Sequence, residues 1–141
     1  MPSKDNHIAT ARENRVIAMS LLDSDPKSLA WATTICFYAG LHLVEAALAH
    51  DGRHFDNHAS RNMYLKRTNQ LQKIWTHYKP LYDHSLKARY LMTNGGSAEL
   101  LIAESLGEDG VKEKIVNHHL LQIERSVSKL LGIPKVFESS T

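Results

Sequence analysis

The chain lacks most of the residue patterns that announce a simple function. It has one cysteine in 141 residues, so neither a disulfide nor a multi-thiolate metal site can form within it. That residue, Cys36, lies in an apolar run and reads as a small buried hydrophobe. Gly-x4-Gly-Lys-Ser/Thr and Gly-x-Gly-x-x-Gly are both absent, which leaves no nucleotide-cofactor loop; Gly95-Gly96 reads as a turn. No His-Glu-x-x-His or Glu-x-x-His occurs, so the zinc-protease and di-iron bundle patterns are missing too. A serine or cysteine nucleophile has no local signature. No cofactor is implied. No uncharged apolar run approaches the roughly 18 residues that a membrane span needs. The N-terminal residues, MPSKDNHIATARENR, do not resemble a secretion signal. These absences suggest a cytoplasmic protein without a membrane partner.

Charge of one sign is scarce in one place. Residues 53–89 hold eight Lys or Arg against two acids, Asp56 and Asp83, a local balance of +6. The rest of the chain, with nine basic and thirteen acidic residues, sums to −4. Such asymmetry favours an anionic partner for the middle of the chain, although a solvated basic helix face has the same composition.

Strand-type alternation is also missing, and helical spacing fills the space. A first amphipathic helix is expected from Asp5 to Leu22, on Ile8, Ala11, Arg15, Ala18 and Leu22, with Val16 and Met19 widening the stripe. Asp25 and Pro26 cap and open a second, which runs to about His50 and is apolar nearly all round, as befits a central helix. Tyr38, His42 and Glu45 share one of its faces, either lining a polar pocket or forming an internal hydrogen-bond network. Gly40 suits a close helix–helix approach. A third helix begins at Asn57 or Ser60 and runs to about Tyr78, after which Pro80 forces a break or a kink. A fourth spans Leu81 to Met92 and stops at Asn94-Gly95-Gly96. A short helix over 98–106 follows. A last one opens after Asp109-Gly110 and stops at Gly132 and Pro134. The expectation is one all-α domain, an up-and-down bundle of five to six helices with its core over about 5–133 and a mobile tail from 134 to 141.

Nine histidines invite a metal. His50, His54 and His58 recur every four residues, but Asp51-Gly52 and Asp56-Asn57 interrupt the helix that would align them, so no metal site is expected in the chain. The basic residues of 61–89 are spread round two helices, unlike those of a DNA-reading helix-turn-helix. What stands out is Arg53-His54-Phe55-Asp56-Asn57-His58. A guanidinium beside a titratable imidazole suits phosphate chemistry, one holding the anion while the other moves a proton.

In context, WATTICFYAGLHLVEAALAHDGRHFDNHASRNMYL resembles the HEPN superfamily, whose hallmark is Arg, four to six residues, then His, often with Asn, Asp or His directly after the Arg. The later Ala88-Arg89-Tyr90 is similar to an Arg/Tyr stretch in such proteins, and the resemblance covers about residues 28–92. It implies a HEPN-like bundle that dimerises to face two Arg–His pairs into one metal-independent ribonuclease site. On that reading His58 is the general base or acid, Arg53 neutralises charge on the phosphate, and His54 orients His58 or binds a neighbouring phosphate. Arg61, Lys66 and Arg67 track the RNA backbone, with Tyr38, His42 and Glu45 lining the pocket. The expected partners are RNA or a nucleotide, a second copy of the chain, and an antitoxin or other protein. One subgroup carries a Tyr two residues after the His; Ser60 stands there, so control through that tyrosine is not implied. Two other readings remain: a non-catalytic HEPN module that binds nucleotide, RNA or protein, and a helical adaptor whose Arg53 and His58 are merely solvated.

Overall fold

The central element is the apolar helix that the sequence marks out. A computed structural model describes residues 3–24, 29–93, 110–134 and 136–137. Within them the chain is all-helical, without a strand. Helix α1 spans Lys4–Ser24, α2 Leu29–His50, α3 His58–Arg67 and α4 Gln72–Thr93, with a 3-10 turn at Asn69–Leu71. A π-helical stretch, Val111–Leu120, continues without a break into α5, Leu121–Leu131. The expectations at Asp25 and Pro26, at 94–96 and for a helix over 98–106 lie outside the described residues.

Helix α2 packs against α1, α4, the π-helical stretch and α5. Its Cys36, Phe37, Ala39, Leu43, Val44 and Ala46 are sealed from solvent on every side. Length and apolarity would let α2 cross a membrane, but 78% of its most apolar window is buried inside the bundle, as in a core helix. Gly40 explains how closely three helices approach here. A Cβ on it would lie 2.9 Å from Leu81 Cδ1 on α4, with Ile123 and Leu120 next nearest. On α1 the stripe Ile8, Ala11, Ala18 and Leu22 is buried, whereas Val16, expected to widen it, is 65% exposed.

Two helices end alike. Gly52 and Gly132 have positive φ, 72° and 68°, where a side chain would strain the backbone. The N–H groups of Gly52 and Arg53 reach back to the carbonyls of Ala49 and Leu48, while those of Gly132 and Ile133 reach Lys129 and Ser128. Both are Schellman caps.

Pro80 corrects the sequence reading. The helix expected to end near Tyr78 breaks earlier, at Thr68, and α4 runs through Pro80 to Thr93. Pro80 removes one backbone donor, but Tyr78, Leu81, Ser85 and Ala88 are buried around it, and their packing holds the helix. Of the tail expected to be mobile, Val136 and Phe137 pack on the bundle, and 135 and 138–141 lie outside the described residues. Val136 is buried, its carbonyl accepts from Arg12 Nε at 2.9 Å, and the Phe137 N–H donates to Glu124 at 2.9 Å. The Arg15 guanidinium lies over the Phe137 ring.

Candidate functional site

The Schellman cap at Gly52 releases the chain into a short turn, and Asn57 starts α3 by accepting the Ser60 N–H on its side chain at 2.8 Å. Arg53 thus closes one helix and His58 opens the next. Their side chains part company. The Arg53 guanidinium lies 4.8 Å from the centre of the Tyr64 ring, a cation–π contact with α3. The His58 ring turns inward, 5.8 Å from Phe37 and 5.5 Å from Tyr82. No hydrogen bond joins the two. His54, expected to orient His58, is engaged with Asp56 at 3.2 Å instead. His50, His54 and His58 occupy a helix end, a turn and a helix start, so no single helix aligns them.

Arg61 holds His58. It is itself buried, with Nε and Nη2 both 2.6 Å from Glu45 Oε1, and Nη2 also donates to the Phe55 carbonyl at 3.2 Å. The remaining Nη1 sits 3.1 Å from His58 Nδ1. A guanidinium only donates, so Nδ1 accepts and the imidazole proton resides on Nε2. Burial, then Arg61 and Arg89, hold His58 below the usual histidine pKa. Arg61 therefore cannot track an RNA backbone as the sequence suggested; its charge is spent on Glu45. The Tyr78 hydroxyl is buried nearby, and burial pushes its pKa up.

Glu45 accordingly belongs to an internal network. His42 pairs with His7 of α1, Nδ1 to Nδ1 at 3.0 Å, and both titrate below the usual range, chiefly through burial. Tyr38 lies beside Arg89, whose guanidinium rests over the Phe37 and Tyr38 rings. Neither His7 nor Arg89 was visible as a partner in the sequence, because no local spacing links them to α2.

The exposed cations gather elsewhere. Lys66 and Arg67, at the end of α3, line a groove of about 430 Å³ together with Asn62, Met63 and Trp75. Both cations are exposed, and Met63 is 52% exposed. Asn62 Oδ1 is sealed from solvent and has no hydrogen-bond partner in the protein. On the other side of the start of α4, a groove of about 530 Å³ is lined by Lys73 with Arg125 and Lys129 of α5. Two side chains of α4 that follow one another, Ile74 and Trp75, face the two grooves. The sequence reading names Lys66 and Arg67 but not Trp75, Arg125 or Lys129; Trp75 lies on the next helix beyond the break at Thr68, so no helical spacing linked it to the Lys-Arg pair.

No family model matches the chain, and no curated protein or solved structure is similar to it.

Proposed function

We propose that the chain is a HEPN-like helical module that binds single-stranded RNA without cleaving it, at the groove of Lys66, Arg67 and Trp75. The carrying observation is two exposed cations that share a groove with the half-buried Trp75 ring. Single strands are held by this combination: a base stacks on Trp75, and Lys66 and Arg67 neutralise flanking phosphates. Lys73, Arg125 and Lys129, in the separate groove across the start of α4, offer three more cations to the phosphates of a longer strand.

The ribonuclease reading is the second one, favoured by the sequence hallmark at Arg53 and His58. A neutral His58 with its proton on Nε2 has its basic nitrogen occupied by Arg61, which suits a positioned side chain better than a general base. A second copy of the chain that opens the Arg61–His58 bond would restore that role and supply the second acid/base group.

Fluorescence anisotropy with a labelled single-stranded RNA measures the first reading. Affinity is expected to fall steeply with salt, with a log–log slope of about −3.5 if five cations are engaged. Lys66→Glu with Arg67→Glu should weaken binding at least tenfold, Trp75→Ala should weaken it too, and His58→Ala should leave it within twofold. Affinity indifferent to Lys66→Glu, Arg67→Glu and Trp75→Ala removes this interface. Incubating the same RNA with protein in EDTA decides the second reading: cleavage abolished by His58→Ala would establish the enzyme.

A further inference from the structure

A second group of histidines lies away from both the Arg61 network and the basic groove. His77 projects from α4, while His118 and His119 come from the last turn of the π-helical stretch. The wider π turn sets successive residues at a smaller angle than an α-helix does, and the His118 and His119 rings lie 4.8 Å apart. His77 approaches from across the helix seam, with its ring 5.1 Å from His118 and 5.4 Å from His119. One ligand nitrogen from each lies within 4.8 Å of the other two. The Nδ1 atoms of His77 and His119 are already only 3.1 Å apart. Zinc bound to imidazole at roughly 2.0–2.1 Å requires nitrogens about 3.3 Å apart in a tetrahedral site, so two donors stand at that spacing and small ring rotations deliver the third. Among the described residues no ion pair ties any of the three to a carboxylate.

We propose that His77, His118 and His119 form a binding site for a divalent transition-metal ion, with zinc the natural occupant. Three imidazoles and no thiolate suit the borderline metals. His77 and His119 are half-buried and His118 is exposed, so the fourth position faces solvent and takes water or an external ligand, as in open zinc sites. His84, seven residues beyond His77 on α4, has a buried Nδ1 without a hydrogen-bond partner, which extends the histidine-rich seam. The ion would staple α4 to the π-helical stretch and stabilise the fold by binding only its native form.

The test uses the full chain free of any affinity histidine tag, stripped with EDTA and dialysed. Isothermal titration with zinc chloride should show one equivalent per chain. Cobalt, which reports its coordination geometry, should give the visible bands of a four-coordinate site. His118→Ala changes an exposed side chain and should weaken zinc at least tenfold and erase those bands; His77→Ala should do the same if its helical circular dichroism is intact. His50→Ala, exposed at the end of α2, should bind as wild type. Absence of saturable zinc binding at micromolar concentrations overturns the proposal, and so does an isotherm unchanged by His118→Ala.

Discussion

Arg61 and Glu45 are opposite charges sealed from water, each side chain only 7% exposed. Such a pair is costly to break and less costly to replace. Arg61→Met strands the Glu45 carboxylate and should cost about 3–5 kcal/mol, whereas Arg61→Met with Glu45→Leu should recover most of that loss. Urea unfolding of the two variants makes the comparison; equal destabilisation of both would mean that the pair holds the fold by geometry and not by charge. The pair was half legible. Glu45 in an apolar helix demands a partner, but sixteen residues separate it from Arg61, and no helical or strand period spans that distance. Arg61, one helical turn from His58, looked like a surface cation because its neighbours Lys66 and Arg67 are. Arg53 and His58 were legible as a spacing. Where each side chain goes was not, since Tyr64 and Phe37 decide that through packing.

At the scale of elements, α4 and α2 show where local rules hold and where packing overrides them. Caps were legible: Asn57 and Gly132 act as their side chain and its absence dictate. Pro80 was misread as a break because a missing donor is a local cost, and burial of Tyr78, Leu81 and Ala88 outweighs it. Pro80→Ala restores that donor, and with an interior proline disfavoured by ~3 kcal/mol against alanine the variant should gain roughly 1–3 kcal/mol in a chemical melt. A loss instead would mean that the proline sets the helix path on which the packing depends. Gly40 separates two effects in one position. Gly40→Ala gains about 1 kcal/mol of helix propensity, set against displacing the flexible end of Leu81, and should come out near neutral. Gly40→Leu has no such room among Leu81, Ile123 and Leu120 and should lose about 1–3 kcal/mol or more to overpacking. The π-helical stretch had no counterpart in the sequence reading, which predicts only that residues 111–131 are helical.

At the scale of the molecule, helical class follows from spacing alone, while charge and histidine placement follow from tertiary structure. The basic balance of 53–89 is legible, yet Arg61 within it is buried on Glu45, and Arg125 and Lys129 come to line a groove with Lys73 only because α5 packs beside the start of α4. Histidines convert this placement into a pH response of the whole fold. His7 and His42 meet between α1 and α2, and His58 lies against Phe37 at the start of α3. Burial lowers all three, reinforced at His7 by His54 and Arg61, at His42 by His7 and Arg61, and at His58 by Arg61 and Arg89; Glu45 opposes it in each case. With folded values below the unfolded value of about 6.5, the unfolded chain takes up protons first as pH falls. Stability is therefore complete above that value and is lost as the pH drops through the lower folded values. Thermal melts in EDTA between pH 7.5 and 5 should show a falling midpoint. In His7→Asn with His42→Asn, which keeps polar groups at the α1–α2 seam but removes two of the titrating rings, the fall should be shallower. A midpoint that is flat below pH 6.5, or a double variant with the wild-type slope, would show that these rings keep their ordinary proton affinity in the folded chain and that the α1–α2 seam does not carry the response.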